Sequence, residues 1–323
     1  MAERYLRQMT VPEVGPEGQR RLAEGSVLVV GAGGLGSPVL QTLAGAGVGR
    51  LTIVDHDRVA ESNLHRQPLY GVADLGTPKA LAARAALRRA NPEVTIEAVT
   101  RPLDARNAPG LVAAATLVVD AADSFAVTYT LSDACLAAGK PFVSASALGL
   151  TGYAGAFCGG APSYRAVFPG VPARAGNCAT DGILGSVTAV LGGIEAHLAV
   201  ALLVGTVPGM LGRVITFDGR RMAFGGFDFS TAREPSHVAP FITPADVEPD
   251  DLVIDLRSLA EAPKSPFEGA VRLALDDIEA LDVGGHRRVV LCCRSGQRAL
   301  CAAGRLGSRE MRLALVALGD AAS

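Results

Sequence analysis

From residue 26 onward, short runs of β-branched and aliphatic side chains alternate with longer Ala- and Leu-rich stretches of helical period. The runs at 27–30, 51–54, 94–99, 117–120 and 142–145 predict strands, most of them apolar enough to be covered on both faces. Between them, helices are predicted over about 37–46, over 79–90 where Asn91-Pro92 ends the period, and over 129–138 where Gly139 closes it. This alternation predicts an α/β fold with a doubly wound, mostly parallel, Rossmann-like sheet. After Gly149 come short strands and turns, a Gly/Pro-rich loop over 168–176, a long apolar helix over 183–204, and strands near 214–217 and 222–227. The polar stretch 229–240, with Pro235 and Pro240 and no apolar period, predicts a linker between a first domain over 1–228 and a smaller α/β domain over 241–323. In the latter, 252–255 and 289–291 are strand-like and 298–306 is helix-like.

Composition agrees with two cores: 323 residues, 49% hydrophobic and 19% charged, with 38 glycines and no tryptophan. A net charge of -2 leaves no basic excess for a nucleic-acid backbone, so nucleic acid is not an expected partner. The apolar stretch 183–205 contains Glu195, His197 and several glycines, which suits a buried helix better than a membrane span. Charges at Glu3, Arg4 and Arg7 stand where a signal peptide would have its apolar core, so the cytoplasm is the expected location. In that reducing compartment Cys135, Cys158, Cys178, Cys292, Cys293 and Cys301 are expected as thiols, since they form no Cys-x-x-Cys pair.

Gly31-Ala32-Gly33-Gly34-Leu35-Gly36 follows a predicted strand and opens a predicted helix. In that context glycines let backbone N–H groups approach a phosphate at a positive helix end. Asp55 ends the next strand, 19 residues beyond Gly36, where a carboxylate can accept from ribose hydroxyls. These features alone admit NAD, FAD or ATP, with a nicotinamide oxidoreductase as the leading reading. The cations that follow change the balance. Asn63, Arg66 and Lys79 cluster beyond Asp55, and a site where a carboxylate attacks a triphosphate gathers two anionic reactants that need such groups. Asp123, at the end of the run over 117–120, can take Mg²⁺.

These motifs closely resemble the ThiF/MoeB/HesA family of ubiquitin-activating-like adenylyltransferases, over about residues 4–226. The matching pieces are Arg4-Tyr5-Leu6-Arg7-Gln8, the glycine loop with Ser37-Pro38, Val54 to Asp57, Ser62-Asn63-Leu64-His65-Arg66-Gln67, Gly76 to Lys79, Asn91-Pro92 and Asp120 to Ser124. The resemblance implies an ATP site in which Gly31, Gly33, Gly34 and Gly36 hold phosphates and Asp55 the ribose. It places Ser62, Asn63, Leu64, His65, Arg66, Lys79 and Ser124 around the nucleotide and Mg²⁺ on Asp123. Arg7 matches an arginine inserted into a neighbouring subunit's site, which implies a homodimer. The implied reaction is adenylation of the C-terminal glycine of a ubiquitin-like sulfur-carrier protein. Cys178 matches a family cysteine on a loop before a helix, open to a transient bond with the activated carrier. The two Cys-x-x-Cys pairs of zinc-bearing members are missing: Ser163 and Ala166 stand at the first, and Glu234-Pro235-Ser236-His237 at the second, so no zinc is expected. A carrier-binding scaffold without catalysis is the alternative that these missing cysteines raise.

The tail resembles a rhodanese domain through Cys293-Arg294-Ser295-Gly296-Gln297-Arg298 between a strand and a helix, with Asp255-Leu256-Arg257 and Glu268-Gly269-Ala270 upstream. Backbone N–H groups, a helix N-terminus and arginines favour a thiolate or persulfide at Cys293, whereas Cys292 is assigned to the strand. The implied role is delivery of sulfur from a persulfide donor to the acyl-adenylate. The domain is short for that family.

Overall fold

In the computed structural model, which describes residues 3–171, 181–205, 209–285, 288–307 and 312–319, the apolar runs assemble into two sheets. Strands β1 (Ser26–Val30), β2 (Arg50–Val54), β3 (Thr95–Val99), β4 (Leu117–Asp120), β5 (Pro141–Leu148), β6 (Thr151–Cys158), β7 (Arg213–Asp218) and β8 (Ala223–Asp228) form the larger one, in the order 3-2-1-4-5-6-7-8. Pairing is parallel from β3 through β5 and antiparallel from β5 through β8. Strands β9 (Leu252–Asp255), β10 (Val271–Arg272), β11 (Arg288–Cys293) and β12 (Arg312–Ala317) form a smaller parallel sheet in the order 10-9-11-12.

The helices are α1 (Leu6–Met9), α2 (Gly15–Glu24), α3 (Gly36–Gly45), α4 (Lys79–Ala90), α5 (Ala108–Ala113), α6 (Phe125–Ala138), α7 (Tyr164–Val167), α8 (Gly185–Val204) and α9 (Gln297–Leu306). Helices α3, α4 and α8 cover one face of the large sheet with a core that includes Leu40, Leu43, Ala83, Leu87 and Leu191. On the opposite face, Leu28, Val118, Tyr129 and Phe142 belong to a core that continues without a break into Ile254, Leu291, Leu300 and Leu315 of the smaller sheet and α9. Helix α8 is apolar and long enough to cross a membrane by composition, but it is a core helix: ten of its residues are buried in the protein, Glu195 among them.

Three differences from the sequence expectation matter for the site. Helix α6 starts at Phe125, four residues earlier than the expected 129, because Ser124 takes the extended N-cap backbone and the poor helix formers Phe125, Val127 and Thr128 are carried by packing. Asp123 therefore sits directly before a helix. Strand β5 extends to Leu148 and pairs with β6 along its whole length. The polar stretch 229–240 is also tied down. Glu234 accepts hydrogen bonds from the Ser163 backbone N–H (2.7 Å) and hydroxyl (2.5 Å), Arg165 donates to the Ala239 carbonyl (3.3 Å), and Phe229 is buried. Apolar periodicity carries no trace of such polar anchors, which is why the stretch reads as free chain.

Candidate functional site

Strands β1 and β4 are neighbours, yet the helices that follow them leave to opposite faces: Leu40 and Leu43 of α3 enter one core, Tyr129 and Leu131 of α6 the other. At such a switch point the carboxyl ends of the strands cannot be covered, and a crevice opens. It is a cavity of about 270 Å³ lined by the glycine loop, the end of β2, Asn63, Arg66, Gln67, Lys79 and the turn 121–124.

The loop's shape depends on its glycines. Gly31 has φ +94°, and a Cβ there would lie 2.6 Å from the Ala121 carbonyl oxygen; a Cβ on Gly36 would lie 2.1 Å from the Gly31 oxygen. Gly31, Gly33 and Gly34 line the cavity, while Gly36 lies behind them as the first residue of α3. Asp55 ties the loop to β2: its Oδ2 accepts from the Ala32 N–H and its Oδ1 from the Asp57 N–H, both at 2.8 Å. Burial raises the Asp55 carboxyl above its ordinary value, against the lowering effect of these bonds and of Lys79. The Tyr70 hydroxyl donates to the Ala32 carbonyl from the other side at 2.7 Å.

Lys79 begins α4 and is 5% exposed, with Nζ 2.8 Å from Asp57 Oδ2. Burial works to raise the Asp57 carboxyl, but the Lys79 hydrogen bond and charge outweigh it and hold it below its ordinary value. Arg66 is steered by its own turn, donating to Asn63 Oδ1 (2.9 Å) and to the Ser62 carbonyl (3.1 Å). Asp123 and Ser124 close the opposite wall. Among the described residues the Asp123 carboxylate has no hydrogen bond or ion pair.

The expected residues thus divide. Gly31, Gly33, Gly34, Asp55, Asn63, Arg66, Lys79, Asp123 and Ser124 are brought to one cavity. Ser62, Leu64 and His65 are not in its lining: Ser62 supports Arg66 through its carbonyl, Leu64 packs against the core, and the His65 ring lies 3.4 Å from the Arg66 guanidinium. Arg7 is exposed on α1 and does not reach this cavity within its own chain. Cys178 lies outside the described residues. Sequence reading missed Asp57, the partner that holds Lys79, and Gln67, a lining residue whose buried Oε1 has no partner among the described residues. The first signal was available: Asp57 ends the Val54 to Asp57 motif.

Cys293 departs from expectation. It is the last residue of β11, so both cysteines are in the strand, and both are fully buried. Cys292 faces the smaller core with Val253 and Val316, where burial pushes its thiol up to about 12, while Cys293 faces the larger one. The loop after Cys293 lies against the first turn of α6: a Cβ on Gly296 would meet Ala126 at 3.3 Å and the Phe241 ring at 2.6 Å. Arg298, expected to favour a thiolate, does face Cys293 with a side-chain hydrogen bond and its charge, while it is also engaged by Glu261 (2.6 Å) and the Leu256 carbonyl (2.9 Å).

A second cavity of about 310 Å³ adjoins the first and shares Ala122, Asp123, Ser124, Ser146 and Ala147 with it. Its other walls are aromatic, with Tyr129, Tyr153, Tyr164 and Phe168, and it reaches Val171, whose carbonyl accepts from Cys301 Sγ at 3.1 Å.

The ThiF family matches residues 5–238. The chain belongs to the ThiF family. Among its relatives are the adenylyltransferase and sulfurtransferase MOCS3 of Drosophila ananassae, 41% identical over 74% of this chain and 54% of that one, and the sulfur carrier protein adenylyltransferase of Thermus thermophilus, 43% identical over 69% and 85%. This ThiF-family chain spans about half the length of the MOCS3 relatives it matches. Its fold is shared with E. coli MccB, solved with ATP, at a TM-score of 0.63 and 20% identity over 72% of this chain and 73% of that one.

Proposed function

We propose that this chain uses ATP to adenylate the C-terminal glycine of a ubiquitin-like sulfur-carrier protein and passes sulfur to the activated carboxyl. The observation that carries this reading is the convergence of Lys79, Arg66 and Asn63 with the loop's backbone N–H groups on one crevice, facing Asp123. The names of the relatives from Drosophila and Thermus support it.

The loop and the N-terminus of α3 hold the phosphates, Asp55 reaches the ribose, and Lys79 and Arg66 lower the repulsion between triphosphate and incoming carboxylate. The carrier's extended tail approaches through the aromatic second cavity, whose shared wall brings its carboxylate to the α-phosphorus. A carboxylate oxygen attacks, the α–β bridge bond breaks, and pyrophosphate leaves. Among the described residues no group of three or more side chains is arranged to hold a metal. That fits Mg²⁺ carried in with the nucleotide, which needs only one or two carboxylates beside phosphate and water, and Asp123 would hold it. When bound, the ion would neutralise charge on the phosphates.

Carrier-dependent exchange of labelled pyrophosphate into ATP tests the first half. Tight NAD(H) binding with no exchange would overturn it.

Sulfur delivery is assigned to Cys293, whose loop abuts the same α6 turn that follows Asp123. The outer sulfur of its persulfide attacks the adenylated carboxyl and AMP leaves. A second thiol then attacks the Cys293 sulfur of the acyl disulfide, forming a disulfide with it and releasing the thiocarboxylate. Because Cys293 is fully buried, loading from a persulfide donor requires its covering residues to part. Cys293→Ala is expected to leave pyrophosphate exchange within about twofold of wild type and to abolish thiocarboxylate formation, read by mass of the carrier. Loss of exchange as well would contradict the division of labour.

The working form is a homodimer in the cytoplasm, with Arg7 reaching the partner's crevice. Mixing Arg7→Ala with Asp123→Ala subunits should then regain up to about a quarter of the exchange rate, because one site in a mixed dimer is whole. No recovery on mixing, with subunit exchange verified by light scattering of tagged chains, would confine Arg7 to its own subunit.

A further inference from the structure

Asp120, the last residue of β4, is fully buried, and no step above uses it. Among the described residues it forms no ion pair. Its carboxylate instead collects donors from three elements. The Ala122 N–H of the β4–α6 turn reaches Oδ1 at 3.3 Å, Thr128 Oγ1 on α6 reaches Oδ2 at 2.6 Å, and Ser144 Oγ on β5 reaches the same oxygen at 3.1 Å. Thr128 Oγ1 also lies 3.2 Å from the Ser124 carbonyl at the start of α6. The turn 121–124 is thus bonded from beneath, and it is the segment that presents Asp123 and Ser124 to the crevice.

The surroundings make this bonding deliberate in physical terms, since a carboxylate away from water is costly unless its oxygens are satisfied. Among the described residues, the titratable groups around Asp120 are Asp123 on the turn, Cys135 on α6, Tyr153 on β6, Tyr164 on α7 and Glu195 on α8, none of them a cation. Glu195 is equally buried, and burial, with Asp120 nearby, drives its carboxyl well above the ordinary range against the lowering effect of the Ala145 backbone. Burial pushes the Asp120 carboxyl up to about 7, against the lowering effect of its Thr128, Ala122 and Ser144 donors, so what sets Asp120 apart is this three-sided hydrogen bonding.

We propose that Asp120 is the positioning residue of the site: through Ala122, Thr128 and Ser144 it fixes the turn that aims Asp123 at the phosphates and the divalent cation they carry. This rests on the adenylation reading and deepens it. Among the described residues Asp123 has no hydrogen bond of its own to hold it, so its direction is set by the turn. Ser144 extends the same control to β5, where Ser146 and Ala147 border both cavities.

The test uses the full chain as wild type, Asp120→Asn, Thr128→Val and Ser144→Ala. ATP binding is titrated by calorimetry over a range of Mg²⁺ concentrations, and pyrophosphate exchange is measured over the same range. Asp120→Asn keeps the shape but presents an NH₂ to one of the donors. It is expected to move the Mg²⁺ midpoint upward and to lower kcat, each by roughly 10- to 100-fold, with little change in KM for ATP at saturating Mg²⁺. Thr128→Val and Ser144→Ala should move the midpoint in the same direction by less. A merely structural role would lower the melting temperature and leave the midpoint and the kcat of the folded protein at their wild-type values, and that result overturns the proposal. Should Asp120→Asn fail to fold, unaltered midpoints in both hydroxyl variants overturn it as well. Wild type that binds no ATP would remove the adenylation reading itself, an outcome distinct from wild type and variant binding alike.

Discussion

Lys79→Met is expected to cut carrier-dependent pyrophosphate exchange by roughly 10²- to 10³-fold while leaving the protein folded. Lys79 is 5% exposed, so water screens its charge little on the cavity side. A unit charge about 4 Å from a phosphate oxygen in a medium of effective dielectric ~20 is worth about 4 kcal/mol, and a tenfold rate change corresponds to about 1.4 kcal/mol. Stability should change by no more than about 1 kcal/mol, because Asp57, the partner left behind, has 57% of its side chain exposed and regains water. Methionine fills the space of the lysine stem, so no cavity confuses the result. Exchange rates and thermal melts of the same preparations separate the two effects. A variant keeping more than a tenth of the wild-type rate would remove Lys79 from the triphosphate.

Gly36→Ala should be as damaging by a different route. The added methyl would stand 2.1 Å from the Gly31 carbonyl oxygen, a backbone atom that cannot yield without moving the loop. Overpacking of this kind costs roughly 3 kcal/mol, which lowers the melting temperature by ~6–12 °C in a unit of this size. ATP binding should disappear with it, because the N–H groups of the loop are displaced together. Gly45→Ala, at the last position of the same helix, is the control: nothing lies within 4 Å of its Cβ, and it should melt at or slightly above wild type. Equal melting of the two variants and retained ATP binding by Gly36→Ala would show that the loop tolerates a side chain there.

The polar contacts that anchor this site were the least legible part of the chain. Zinc-binding relatives of the resemblance drawn from the sequence would clip residues 163–166 to the segment after β8 with thiolates. Here Glu234 bonds Ser163, the N-cap of α7, across 71 residues of sequence. Arg165 meets Asp133 at 2.6 Å and lies over the Tyr129 ring at 4.6 Å in the same seam. A serine and a glutamate so far apart give no periodic signal, whereas a Cys-x-x-Cys pair would have announced itself.

What the sequence determined by itself was the strand and helix alternation, the bounds of β4, β9 and α4, the glycine loop, and the residues Asp55, Asn63, Arg66, Lys79 and Asp123 that converge on it. These follow from short-range causes: apolar runs fix the sheet, and the strand-to-helix turns fix which side chains stand at its carboxyl edge. Only the tertiary structure decided that Asp57 holds Lys79, that Asp120 lies beneath the turn carrying Asp123, and that Cys293 is sealed in a core shared by both sheets. Each of those depends on which faces meet across the fold, and burial of a polar group is a property of its neighbours in space, which a single chain's order of residues does not encode locally.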